Sequence, residues 1–230
     1  MLALYHRPFC PHSRYVRLAM TEAGLPFSLF AVKWGEKNAA FLKLSPEGTT
    51  PALIVEGKLG VPGEDVIVAY LEEAQAERLQ QNRLLPRDIA GRVEARRLTR
   101  WFNLKMHQDC VRWILREKIE RRFLSEAEGG GAPDMGVVRA ARDNLRYHID
   151  TIGRLASERN WLAGDALSYA DLAAAAQLSC VDYLGDAPWN GNEAAMSWYA
   201  RIKSRPSFRP LLAETLAGLA PSRTYADLDF

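Results

Sequence analysis

The sequence predicts two domains, an α/β unit over residues 1–80 and an all-α unit over residues 88–230. Three observations carry that prediction. Short apolar runs alternate with helically spaced stretches as far as Ala76, the pattern of a small α/β unit. Beyond Asn82 the pattern becomes long, arginine-rich and almost free of breakers. The 230 residues are 48% hydrophobic and 25% charged with a formal net charge of +2, proportions that build a packed core and exclude disorder as the main state.

Leu2-Ala3-Leu4-Tyr5 is an apolar run halted by Pro8, and predicts a buried strand. Pro11 stands where a first-turn proline belongs, and Tyr15, Val16, Leu18, Ala19 and Met20 follow at helical spacing up to Gly24. Phe27–Val32 predicts a second strand, Phe41, Leu42 and Leu44 a short helix, and Ala52–Val55 a third strand closed by Glu56-Gly57. Gly60-Val61-Pro62-Gly63 reads as a turn. Val66–Ala76 is helical through Ile67, Tyr70 and Leu71. The order is β-α-β-α-β-α, with room for one more strand before the last helix. In the second half Asp88–Phe123 is periodic, and Glu128-Gly129-Gly130-Gly131-Ala132-Pro133 reads as a flexible link. Helical spacing returns over Val137–Arg159, Leu172–Leu184, Ala194–Lys203 and Phe208–Leu219.

Composition excludes several functions. Thirty basic against 28 acidic residues is no excess of the kind a dedicated nucleic-acid binder shows. The first residues lack the apolar stretch of a secretory signal. Leu172–Val181, the greasiest later segment, is far shorter than the ~20 residues that span a bilayer. No membrane insertion and a cytoplasmic location are the expectations. Cys10, Cys110 and Cys180 are odd in number and form no C-x-x-C pair, so neither a disulfide framework nor a metal site is expected.

Several motifs in order resemble the glutathione transferase superfamily. They are Thr49-Thr50-Pro51-Ala52-Leu53, then Trp161 through Asp171, with Ser168 and Asp171 at capping-box spacing, then Trp198-Tyr199 with Arg205-Pro206-Ser207-Phe208. The resemblance implies a thioredoxin-like N-terminal domain, a helical C-terminal domain and a cis bond before Pro51. It also implies a glutathione pocket at the start of the first helix, which here reads Phe9-Cys10-Pro11-His12-Ser13. A helix N-terminus favours an anion or a thiolate. Cys10 and Ser13 are therefore the alternative catalytic groups, although Cys10 is equally readable as a small residue capping the helix and Ser13 as bonding to backbone. Thr50 and Pro51 would line the same pocket.

In the superfamily a Glu-Ser or Gln-Ser pair holds the γ-glutamyl carboxylate. At that spacing this chain has Gly63-Glu64, or Glu64-Asp65 with a slip of one residue. Either way a carboxylate replaces the serine hydroxyl, so Glu64 and Asp65 are expected to weaken glutathione binding by repulsion and a lost hydrogen bond.

Residues 83–123 hold twelve Lys or Arg against five Asp or Glu. Arg92, Arg96 and Arg100 share one helix face, and Arg112 and Arg116 repeat the spacing. Arginine beside Trp101, Trp113 and Phe123 suits a protein-binding surface as well as a solvated face. The C-terminal Thr224-Tyr225-Ala226-Asp227-Leu228-Asp229-Phe230 reads either as a frayed end or as a docking segment for a basic, partly apolar groove. Asp227, Leu228, Asp229 and Phe230, with Cys-Pro-His-Ser and Gly-Glu-Asp, resemble an alphaproteobacterial branch of the superfamily that binds the tubulin-like division protein FtsZ. That resemblance implies a homodimer without cofactor or catalysis that binds and organises FtsZ filaments at the division site, through Arg112, Arg116 and residues 227–230. The alternative is a glutathione-dependent transferase or thiol reductase.

Overall fold

The structure is a computed structural model that describes residues 1–34, 39–80, 82–189 and 191–227. It divides into two compact units, Met1–Leu84 and Leu85–Phe230.

The first unit contains strands β1 (Leu2–His6), β2 (Phe27–Ala31), β3 (Ala52–Val55) and β4 (Leu59–Pro62). They form one sheet in the order β2-β1-β3-β4, with β1 parallel to β2 and antiparallel to β3. Helices α1 (Pro11–Glu22), α2 (Ala39–Leu44), α3 (Glu64–Ala74) and α4 (Ala76–Leu79) accompany it. This is the thioredoxin-like arrangement. The β3–β4 hairpin turns at Glu56-Gly57, both at positive φ, and Lys58 N–H donates to the Val55 carbonyl at 3.0 Å. The turn expected at Gly60–Gly63 is therefore corrected. Leu59–Pro62 is a strand paired along β3, tolerated because β4 is an edge strand and Pro62 ends it.

The second unit contains α5 (Ile89–Arg100), a π-helical stretch (Trp101–Val111) and α6 (Arg112–Lys118) in unbroken succession. Helices α7 (Met135–Glu158), α8 (Tyr169–Tyr183), α9 (Glu193–Lys203) and α10 (Arg209–Leu212) follow. Every residue of α8 is buried, as its apolar, alanine-rich sequence requires of a central helix. Its start carries the capping box of Ser168 and Asp171. The buried Asp171 carboxylate accepts from Leu162 N at 2.8 Å, Ser168 N at 3.0 Å, Ser168 Oγ at 2.8 Å and Trp198 Nε1 at 3.0 Å. A Cβ at Gly153 of α7 would stand 2.0 Å from Asn192 Oδ1. That space lets Asn192 cap α9 at Ala195 N and donate to the Ile149 carbonyl.

Two further expectations are corrected. The glycine-rich segment is no free link, because Gly130 N–H donates to the Ser125 carbonyl at 2.8 Å and Gly131 N–H to the Arg121 carbonyl at 3.2 Å. Nor does a helix run to Leu219. It stops at Leu212, and the Tyr183 hydroxyl then accepts from Leu216 N at 2.9 Å and donates to the Leu219 carbonyl at 2.6 Å. A long-range side chain satisfies groups that a helix would have paired.

Asp171→Ala would orphan several buried donors and is expected to destabilise the protein by at least about 3 kcal/mol, read as a lower urea midpoint. Glu94 supplies a pH test. Its carboxylate is lowered from 4.5 to about 2, first by the hydrogen bonds from Arg97, against a burial penalty, and then by Arg159, which bonds it at 2.9 Å. A depressed carboxylate stabilises the fold above its ordinary pKa and loses that contribution as pH falls from 4.5 towards about 2. Glu94→Gln should be less stable near neutral pH and lose less stability across that acid window.

Candidate functional site

In the first unit the pocket residues converge at the adjoining N-termini of α1 and α3. Pro11 opens α1 with its ring at the position that needs no N–H, and Cys10 occupies the N-cap. The Thr50–Pro51 bond is cis. The Pro51 carbonyl accepts from Gly63 N at 3.0 Å, which brings the Thr50-Pro51 turn against the start of α3. The Cys10 thiol points at the Thr50 carbonyl, with Sγ 3.6 Å away. Ser13 is fully buried, and its hydroxyl accepts from the Arg7 amide at 3.3 Å.

Glu64 lies in the first turn of α3, with Oε1 3.8 Å from His12 Nε2. Asp65 is exposed and turns onto the Val66 amide at 2.8 Å. Gly63, with φ of 82°, makes the entry to this helix in a region that favours glycine. Glu64 thus stands beside an imidazole, which offers its charge a partner within the protein.

Burial pushes the Cys10 thiol up, but the hydrogen bond and charge of His12, joined by the hydroxyl and amide of Ser13, outweigh it and hold the thiol below its ordinary value. Cys110 is the contrast, pushed up to about 12 by burial. A lowered thiol at a helix N-terminus, with an imidazole beside it and a carboxylate behind that imidazole, has the parts of an activated nucleophile. His12 is the residue that the sequence reading left out. The Cys-Pro-His-Ser string displayed it, but only the fold shows its ring beside both the Cys10 sulfur and Glu64. Among the described residues no group of three or more His, Cys, Asp or Glu converges as a metal site, and no helix is long and apolar enough to cross a membrane.

The second unit holds the other candidates. Arg112 and Arg116 are exposed on α6. The Arg112 guanidinium lies 4.5 Å from the centroid of Trp113, a cation–π contact that stiffens the side chain. Trp113 Nε1 in turn donates to the Gln108 carbonyl at 3.0 Å. The helix carrying them is tied to the end of α8, where Lys118 Nζ donates to the Leu184 carbonyl at 3.2 Å. The C-terminal segment is tied to the same helix end, where Ser222 N–H donates to the Tyr183 carbonyl at 2.8 Å. Tyr225 is fully buried, with its ring edge-on to Tyr183 at 5.1 Å and its hydroxyl donating to the Leu211 carbonyl at 2.9 Å. The chain is thus folded, not frayed, as far as Asp227, an exposed residue whose carbonyl accepts from Lys203 Nζ at 2.6 Å. Leu228, Asp229 and Phe230 lie outside the described residues.

Comparison with known proteins follows the same division. The model of the glutathione S-transferase N-terminal domain matches residues 4–79, and that of the glutathione S-transferase C-terminal domain matches residues 137–206. The chain is 44% identical to FtsZ-localized protein A of Caulobacter vibrioides, over 99% of this chain and 97% of that one. A crystal structure of a glutathione S-transferase from Sinorhizobium meliloti superposes with a TM-score of 0.94 at 45% identity, over 100% of both chains. The structure of FzlA from C. crescentus superposes with a TM-score of 0.90 at 43% identity, over 100% of this chain and 99% of that one.

Iodoacetamide labelling of the native protein, mapped by peptide mass, should modify Cys10 and spare the buried Cys110 and Cys180. The pH midpoint of Cys10 labelling should lie below that of a free thiol and rise in His12→Ala. An unchanged midpoint in that variant means that His12 does not hold the thiol down.

Proposed function

This chain belongs to the glutathione S-transferase family, and within it we propose a non-catalytic protein that binds and organises FtsZ filaments. The observation that carries the reading is the 44% identity, over 99% of the chain, to FtsZ-localized protein A. The protein would act without cofactor as a cytoplasmic homodimer at the division site. Two identical binding faces let one dimer bridge neighbouring filaments, and the repeat of a polymer raises the effective concentration for the second contact.

The pocket chemistry agrees with this. Glu64 places an acid where the family's glutathione-binding serine is expected, and its near neighbour is His12 at 3.8 Å. A ligand carboxylate arriving there would meet a carboxylate and would have to compete with it for the imidazole. The contact face in this reading consists of Arg112, Arg116 and the chain from Asp227 to its end. Cations on α6 and the exposed Asp227 offer charges of both signs for steering onto a partner, and the chain at Ser222 and at Lys118 is tied to the end of α8.

A second reading has one specific observation in its favour. The lowered Cys10 thiol, with Ser13 beside it and Thr50-Pro51 facing it, supports a glutathione-dependent transferase or thiol reductase. Titration calorimetry with millimolar glutathione, at two temperatures, separates the two. Absence of heat at both supports the filament-binding reading, whereas saturable binding restores Cys10 and Ser13 as catalytic candidates. In co-sedimentation with FtsZ filaments, Arg112→Glu and Asp227→Lys are each expected to weaken binding by about tenfold, with larger losses at low salt. Wild-type affinity in both variants removes these residues from the contact.

A further inference from the structure

The π-helical stretch changes where the arginines of α5 and α6 stand. From Arg96 onward every fourth residue is exposed, through Arg100, Leu104, Gln108, Arg112 and Arg116. Every fourth residue from Leu98 is buried, through Phe102, Met106, Cys110 and Ile114. An α-helix does not hold such rows straight. Its turn takes about 3.6 residues, so each four-residue step gains about 40°, and the steps from Arg96 to Arg116 would carry a row roughly 200° round the axis. The two ends would then lie on opposite faces. Trp101–Val111 is wound in the π form instead, whose i→i+5 bonds widen the turn and bring the row back. Arg96 and Arg100 thus share one exposed face with Arg112 and Arg116, with Leu104 and Gln108 between them.

Charge separates this row from its surroundings. Neighbouring cations are already engaged: Arg97 with Glu94 at 2.8 Å, Lys105 with Asp109 at 2.6 Å, Lys118 with Asp186 at 2.6 Å and Arg121 with Glu117 at 3.1 Å. Among the described residues, Arg96, Arg100, Arg112 and Arg116 make no ion pair, and Arg112 rests on the ring of Trp113. Arg92, one step earlier, is half-buried and stands outside the row. Uncompensated guanidiniums within about 30 Å, the α-helical length from Arg96 to Arg116, gain from any anion that spans them.

We propose that this row is a docking face for an acidic protein segment, with carboxylates at both ends and an apolar or amide contact between. It rests on the filament-binding reading and extends that contact from Arg112 and Arg116 back along α5 to Arg96. Guanidinium takes carboxylate through two parallel hydrogen bonds, and arginine beside apolar surface is the composition of protein contacts. A second copy laid row on row would set arginine against arginine. A nucleic-acid backbone carries its charge evenly, and would find no free cation over the middle of the row, where Asp109 already holds Lys105.

Anisotropy titration of the full chain with fluorescein-labelled poly-glutamate tests the face without any named partner. Arg96→Gln/Arg100→Gln and Arg112→Gln/Arg116→Gln are each expected to weaken binding by about tenfold. Arg146→Gln/Arg154→Gln removes the same charge from α7, where both cations already have acid partners, and should change affinity by less than about twofold. Wild-type affinity in both row variants overturns the face, and loss in one of them alone overturns its continuity. An equal loss in the α7 variant shows a net-charge effect and overturns it too. Tighter binding of an oligothymidylate of equal charge assigns the row to nucleic acid and overturns the protein partner.

All the substituted side chains are exposed. Should a glutamine pair lower the urea midpoint, lysine at the same positions keeps the charge and is expected to bind within about threefold of wild type. A larger loss there assigns the effect to the fold and overturns the face. Co-sedimentation of the same variants with FtsZ filaments should repeat the ranking. Sedimentation that Arg96→Gln/Arg100→Gln leaves unchanged keeps the filament-binding reading and overturns the extension along α5. If the wild-type protein fails to sediment, that reading falls, and the poly-glutamate series still decides whether the row is a docking face.

Discussion

The end of α8 is the constraint on which the second unit depends. Tyr183 gives its backbone carbonyl to Ser222, its hydroxyl to both Leu216 and Leu219, and its ring to Tyr225. The next residue, Leu184, takes Lys118 from α6. A helix buried along its whole length can serve this way because its other end is held as firmly. Asp171 accepts four hydrogen bonds there and so lets a carboxylate sit in the interior without becoming an orphan charge. At the end of that rod, α6 and the C-terminal segment are held at neighbouring carbonyls although over a hundred residues separate Lys118 from Ser222 in sequence.

The first unit is organised on a different principle. Its catalytic-looking parts are present, with a helix N-terminus, a lowered thiol and an imidazole. What departs from the family pattern is an acid, Glu64 or Asp65, in place of a hydroxyl. The imidazole faces both ways, towards the Cys10 sulfur and towards Glu64. In the proposed reading, the fold keeps the local electrostatics that favour a thiolate while an acid opposes the carboxylate of the thiol-bearing substrate that the family uses. Fold and site are separable.

Much of the architecture was legible because local signals agreed with the global result. Pro11 marked the start of α1, Ala52–Val55 was a strand at the predicted residues, and Ser168 with Asp171 announced the start of α8. The failures share a cause. Leu216 and Leu219 carry helical spacing, but Tyr183 claims their backbone groups from a distance. Gly60–Pro62 carries turn residues, but β3 offers a row of pairing groups. Gly129–Gly131 looks unconstrained, but the Ser125 and Arg121 carbonyls take its amides. In the site, Cys10 was legible from its position and His12 was not, since nothing near His12 in sequence reveals Glu64. Lys203 looked like any basic residue in a last helical turn until the fold closed over it.

The fit of Asn192 against Gly153 has a bearing on how genetic data on this protein should be interpreted. A side chain at position 153 would displace Asn192, and with it the cap that starts α9. α9 is also the helix that carries Lys203 at its far end. A screen for lost function would therefore return hits at 153 through the fold alone. Plotted on the surface, such a hit would mark α7, although its effect runs through the cap of α9. Position 153 belongs to the supports of α9 and should be left out when a footprint is drawn.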